Sequence, residues 1–299
     1  MNLLPYIFVL LAAMLWGTVG TTQTFLQENV SSVAVAAVRS GIGGGVLLVA
    51  AFAMRKISFK NWSWKWTLLA ALSIALFQSL FFTSVRFTGV AIGTVVTIGS
   101  SPVFSGIVEW FIWKRKPNRV WDIATTLAIV GCVLLFVNRG EATVHPFGIF
   151  LALCAGLMFA IYTNCSKQLT EKEETLPAVA MTFTICALIL LPFSGNGVAW
   201  AFTGQNFAPM VFMGLAATSL AYIFFLSGLE KITSSSAVTL SLAEPLTAAL
   251  LGVFLVDEYL SPTSWIGVAM LLGGIIVLTV GSRKASVEKV SSSEKLKTT

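Results

Sequence analysis

Ten apolar stretches run through this chain, each about long enough to cross a lipid bilayer as one helix. A hydrocarbon core of about 30 Å takes roughly 20 helical residues to span. By that measure the spans fall at Tyr6–Leu26, Ser32–Met54, Thr67–Val85, Val90–Trp113 and Val120–Val137, then Phe147–Lys167, Ala178–Ser194, Ala208–Gly228, Ser235–Val256 and Pro262–Gly281. The connections are short and leave no room for a sizeable soluble domain. Of 299 residues, 56% are hydrophobic and 11% charged. Soluble chains carry about a quarter charged residues, and a chain this apolar cannot cover its folded surface for water. In lipid, backbone polar groups must be satisfied within the protein, so these spans are expected to be helices.

The ten spans are not independent. Laying Gly89–Lys114 on Ile232–Asp257 takes an offset of 143 residues, and the match continues without a gap on both sides. Phe81-Phe82 falls on Phe224-Phe225, Ser84 on Ser227, Val95 on Val238, Phe111 on Phe254, Ile123 on Ile266 and Gly131 on Gly274. The first span repeats in the sixth, with Leu11, Ala13 and Leu15 on Leu153, Ala155 and Leu157. This reads as an internal duplication, with repeats over residues 1–138 and 147–282 and a disordered tail over 283–299, rich in Ser, Lys and Glu. Five spans per repeat is an odd number, so the second repeat is expected to be inverted relative to the first. Inverted repeats that meet near the midplane are a device of secondary transporters.

The formal charge of +6 is a topology signal rather than a sign of nucleic-acid binding. With an inside amino terminus, the inner connections and tail hold Arg55, Lys56, Lys60, Lys65, Lys114, Arg115, Lys116, Arg119, Lys167, Lys172, Lys231, Arg283, Lys284, Lys289, Lys295 and Lys297. The outer connections hold Arg86 and Arg139. That bias predicts both termini in the cytoplasm. The first apolar run has no basic n-region and no small-residue cleavage site, so no cleavable leader is expected. The cysteines (Cys132, Cys154, Cys165, Cys186) sit singly in apolar spans, which predicts packing rather than disulfide or metal roles.

Polar residues deep in a span are the functional candidates, because each costs free energy unless paired or hydrated. Arg39 lies about two turns into the second span and Glu244 in the middle of the ninth. Either Glu244 carries a proton or a solute's cationic group, with Arg39 at the pathway, or the two form an ion pair that pins helices. Pro102 and Pro245 each remove a backbone donor and are expected to break their helices, freeing the carbonyls of Ile98 and Ser241. Trp16, Gln78, Phe82, Ser101, Tyr162, Asn164, Tyr222 and Ser241 supply aromatic walls and polar handles of the kind a small-solute site needs. Glu109, near Lys114 and Arg115, is expected to snorkel to the inner interface. Gly41 and Gly45 form a small-xxx-small packing pair.

With Trp16-Gly17, Arg39 and the two proline helices in place, the chain resembles the EamA branch of the drug/metabolite transporter superfamily. Leu242-Ala243-Glu244-Pro245-Leu246-Thr247-Ala248-Ala249-Leu250-Leu251-Gly252, then Asp257-Glu258 and a glycine-rich last helix, resemble that family's second-repeat signature. In the first repeat Lys114-Arg115 stands where the acidic turn would be. The resemblance covers about residues 5–282. It implies ten helices in two inverted five-helix repeats, a central cavity lined by helices 1, 3, 4, 6, 8 and 9, and export of small metabolites such as amino acids.

The expected protein is therefore an all-α secondary transporter of the cytoplasmic membrane, without a cofactor, acting on a small-molecule substrate as monomer or homodimer. No P-loop, HExxH or GxSxG motif is present, which argues against an ATP-driven pump and against an enzyme. Uptake instead of export, drugs, amines or nucleosides as solutes, and a passive channel remain open from sequence.

Overall fold

The computed structural model describes residues 3–27, 30–114, 116–136, 145–195, 197–256 and 259–297. Helices dominate: α1 (Leu4–Gln23), α2 (Ser32–Ala53), the long α3 (Trp64–Trp113), α4 (Arg119–Phe136), α5 (Pro146–Thr170) and α6 (Thr175–Leu190). Then α7 (Phe207–Gly214) passes through a π turn at Leu215–Leu220 into α8 (Ala221–Leu229), and α9 (Ser234–Leu240), α10 (Ala243–Val256) and α11 (Pro262–Lys297) follow. Among the described residues, ten helical segments are long and apolar enough to cross a membrane, and each overlaps one expected span. Asp257, Glu258, Arg115 and most of the Arg139–Pro146 loop lie outside the described residues.

The helix breaks fall elsewhere than the prolines suggest. Pro102 sits inside α3 without ending it; the interruption is at Gly89, with φ 79° and ψ 164°. A missing donor costs one hydrogen bond, which neighbouring packing can offset, whereas a positive φ turns the chain itself. In the ninth span the break is real but lies at Ser241-Leu242, between α9 and α10. The Ser241 carbonyl is not free there, because the Glu244 N–H donates to it at 2.9 Å. No glycine or proline follows Gly281 to stop the last helix, and α11 runs on to Lys297 where the sequence suggests a disordered tail.

Close backbone approaches tie the halves together. A Cβ added at Gly131 would lie 2.6 Å from the Leu271 nitrogen and 2.8 Å from the Gly267 carbonyl, so α4 and α11 touch backbone to backbone. Gly274, the repeat mate of Gly131, meets the Ala124 carbonyl and Ala128, the mates of Gly267 and Leu271. The same exchange joins α2 to α6: Gly44 lies against Thr184 and Gly41 against Ala187, and under the 143-residue offset Thr184 is the mate of Gly41 and Ala187 of Gly44. In both pairs one residue number rises as its partner's falls, so repeat-related helices run antiparallel across their contact. A self-complementary exchange of this kind is what a two-fold axis produces, and it supports the inverted reading of the duplication. Gly45, by contrast, has no neighbour within 4 Å of a Cβ placed on it, so the close contact on this face is made by Gly44.

Candidate functional site

Six aromatic rings from both halves meet at the centre of the bundle. Trp16 on α1 lies 4.8 Å from Tyr222 and 5.2 Å from Phe225, both on α8, and 6.2 Å edge-on from Phe159 on α5. Tyr162 on α5 meets Tyr222 at 5.9 Å and Phe183 of α6 at 6.5 Å, and Phe183 lies 4.2 Å from Tyr222. Each ring is buried. The π turn before α8 adds a residue to the local register and so rotates the face on which Tyr222 and Phe225 sit. Trp16 Nε1 is buried with no hydrogen-bond partner. A buried orphan donor costs about 1–3 kcal/mol.

Beside the rings lies a polar network. Arg39 on α2 is buried and donates twice to Gln78 Oε1 on α3, from Nη2 at 2.6 Å and from Nε at 3.2 Å. Gln78 Nε2 in turn donates to Cys186 Sγ at 3.4 Å, one helical turn beyond Phe183 on α6. The network thus adjoins the ring cluster through α6. Glu244 comes in from the opposite side, where its backbone carbonyl lies against Gly17, next to Trp16; a Cβ at Gly17 would be 2.7 Å from it. No ion pair joins Arg39 and Glu244 among the described residues. The pin, one of the two readings open from sequence, is not formed; Arg39 takes a neutral partner, Gln78.

The other sequence candidates divide. Ser101 donates to the Thr97 carbonyl at 2.7 Å and Ser241 to the Val238 carbonyl at 2.7 Å, so both hydroxyls are held by their own helices. Phe82 touches no cluster ring directly but contacts Phe81 at 5.4 Å, and Phe81 reaches Phe159 through Phe77, at 6.0 and 5.1 Å. Asn164 lies further along α5, where Nδ2 donates to Ser105 Oγ at 3.1 Å and to the Ala160 carbonyl at 2.9 Å. Its Oδ1 is buried without a partner. Sequence reasoning missed Phe159 and Phe183; Phe159 was within reach, since it stands one turn before Tyr162 on the same face of α5. It also misplaced Glu109, which is buried rather than at the interface and accepts from the Ser235 N–H at 3.1 Å.

With this arrangement in view, the comparisons are decisive about kinship. A family described as EamA-like transporter matches residues 3–137 and again residues 146–280. The chain belongs to that family. The two matches begin 143 residues apart and end 143 apart, which is the register of the duplication. An uncharacterized transporter of Bacillus subtilis, YwfM, is 43% identical over 279 residues, covering 93% of this chain and 94% of its own. The threonine/homoserine exporter RhtA of Escherichia coli is 28% identical over 284 residues, covering 93% of this chain and 91% of its own. A solved crystal structure superposes with a TM-score of 0.81 at 18% identity, over 94% of this chain and 98% of that one, and shows the common fold. This EamA-family protein is thus a multi-pass membrane protein of a transporter family.

Proposed function

We propose that the protein is a secondary carrier that exports amino acids or close relatives across the cytoplasmic membrane by alternating access. The observation that carries this reading is a buried ring cluster that holds an orphan indole N–H, adjoined by the buried Arg39–Gln78 pair and, at Gly17 next to Trp16, by the Glu244 backbone of the broken ninth span. A zwitterion fits such a site: its carboxylate meets Arg39 and the Trp16 N–H, its ammonium meets Glu244, and its side chain meets the rings. A small solute site of this kind is largely apolar with a few placed polar groups. RhtA, named as a threonine/homoserine exporter, is consistent with that class.

Orientation rests on the basic connections, which put both termini inside. Contacts bring several of these connections to one end of the bundle: Lys56 pairs with Glu174 at 2.7 Å, the Ser63 N–H donates to Glu173 at 2.8 Å, and Lys167 donates to the carbonyls of Leu229 and Glu230. We take that end as cytoplasmic. The test is counterflow in proteoliposomes of purified protein. Labelled threonine, homoserine and other neutral amino acids should exchange saturably, while the corresponding amines and N-acylated acids, each lacking one charge, should not. Unsaturating flux without exchange would make the protein a channel, and exchange of amines alone would move the solute class.

A further inference from the structure

The ninth span is held differently at its two ends. Its inner half, α9, packs against α3 and α5 as well as α1, α8, α4 and α11; its outer half, α10, leans mainly on α1, with α4 and α11 beside it. The inner contact with α3 has a specific tie: Glu109 Oε2 accepts from the Ser235 backbone N–H at 3.1 Å, with Glu109 7% and Ser235 3% exposed. Ser235 is the second residue of α9, so its N–H is one of those a helix leaves without an internal partner. Glu109 closes a column of α3 residues four apart, Thr97, Ser101, Ser105 and Glu109. Under the 143-residue offset, the mates of Glu109 and Ser235 are Gly252 and Ile92. Gly252 has no side chain to accept with. The duplication therefore supplies this tie at one end only.

We propose that Glu109 is a positioning residue, the latch of the inner gate. Its carboxylate holds the start of α9 against α3, and release of the Ser235 N–H lets α9 move off and opens the solute site to the cytoplasm. The break at Ser241-Leu242, just before Glu244, lets α9 swing while α10 stays on α1. The repeat mate of Glu109 at the outer end is Gly252, so this tie has no symmetric copy, and in the proposal the unloaded carrier rests closed inside. The latch rests on the carrier reading for its meaning, but its geometry is measured without any solute.

Spin labels at Lys114→Cys on α3's end and Lys231→Cys before α9, in a chain whose four native cysteines are replaced by serine, report the inner gate by pulsed electron resonance. The unmodified latch should give one short distance. Glu109→Ala should shift the closed-to-open ratio by roughly ten-fold or more, as expected for a hydrogen bond to a charged group, and a longer distance should appear. Glu109→Gln keeps an acceptor oxygen and should restore most of the short distance. Ser235→Pro removes the donor at a position where a helix tolerates proline and should reproduce Glu109→Ala. An unchanged single distance in both Glu109→Ala and Ser235→Pro overturns the latch. So does loss of folded protein in both while Glu109→Gln stays intact, because the contact then serves assembly. Amino-acid counterflow on the parent protein tests the carrier reading separately, so the two can fail independently.

Discussion

Arg39 and Gln78 are joined by a forked contact in which one amide oxygen accepts from two guanidinium nitrogens, at 2.6 and 3.2 Å. The pair answers how a cation survives in the middle of a bundle. A neutral amide satisfies two of its donors without cancelling its charge, and the charge stays available to a solute. A carboxylate in the place of Gln78 would have paired the charge of Arg39 within the protein, at a desolvation cost that can offset the attraction.

Arg39→Lys should therefore be damaging although it keeps the charge. An ammonium is a point donor and cannot span the same fork, so Gln78 loses a partner in a buried place. The expected cost is about 1–3 kcal/mol of stability with a rise in KM of at least about ten-fold, read by thermal unfolding in detergent and by counterflow. Gln78→Glu should be the sharper test: it should raise the unfolding temperature or leave it unchanged, while flux is lost.

Trp16→Phe separates binding from packing. The indole N–H makes no bond within the protein, so removing it takes nothing from the folded state and can relieve an orphan donor. The ring contacts with Tyr222, Phe225 and Phe159 are largely kept. Unfolding temperature should hold or rise slightly, while KM for the solute rises by about 1–2 kcal/mol worth of affinity, the usual value of one hydrogen bond. An unchanged KM would place the indole outside the solute's reach.

Glu244→Gln should abolish the response of flux to an imposed pH gradient while leaving exchange of solute measurable. The carboxyl is the ionisable acid at the broken ninth span; an amide of the same shape can no longer exchange a proton, and the Gly17 contact, made by the backbone carbonyl, is untouched. The measurement is proteoliposome flux with and without the gradient. Gradient-driven flux equal to the parent's would leave Glu244 a structural residue.

Much of this architecture is legible in the sequence because its signals run along one dimension. Span length, charge bias between connections and the 143-residue register need no knowledge of what touches what, and the spans follow from them. What the chain does not disclose is pairing across space. Glu109 reads as a snorkelling residue because Lys114 and Arg115 are its neighbours in sequence, whereas its partner is the Ser235 N–H, 126 residues away. Arg39 and Glu244, the two charges set deepest in the spans, leave an ion pair and a transport role both open, and Gln78 stands among the site candidates with nothing to name it as the partner of the guanidinium. Phe183 stands between Thr182 and Thr184, but nothing in the sequence says which side of that apolar span turns inward; α6 packed on α8 brings it to Tyr222.

Glycines test the backbone contacts between the halves. Gly131→Ala and Gly274→Ala should each cost about 1–3 kcal/mol, since the added carbon would lie 2.6 Å from the Leu271 nitrogen and 2.7 Å from the Ala124 carbonyl, atoms that cannot turn aside. Gly20→Ala is the control. Nothing lies within 4 Å of its added carbon, and alanine is the better helix former by about 0.5–1 kcal/mol, so that variant should be neutral or more stable. Equal effects at all three sites would mean that α4 and α11 are not in contact as described.

The sharpest contrast is between Gly89 and Pro102, because the sequence marks the proline and the fold uses the glycine. Gly89 holds φ 79° and ψ 164°, a combination that costs a residue with a Cβ on the order of 1–3 kcal/mol. Space is not the obstacle, since nothing lies within 4 Å of a Cβ placed there; the cost is in the backbone alone. Gly89→Ala should therefore destabilise the protein by about that amount or straighten the joint between the third and fourth spans, and either outcome should slow exchange. Pro102→Ala sits in a helix that is already continuous and adds a backbone donor for the carbonyl one turn back, so it should leave stability equal or higher and flux within about two-fold. Thermal unfolding and counterflow on the two variants side by side decide the matter. If Pro102→Ala is the one that stops transport, the working bend of α3 lies at the proline and not at the glycine.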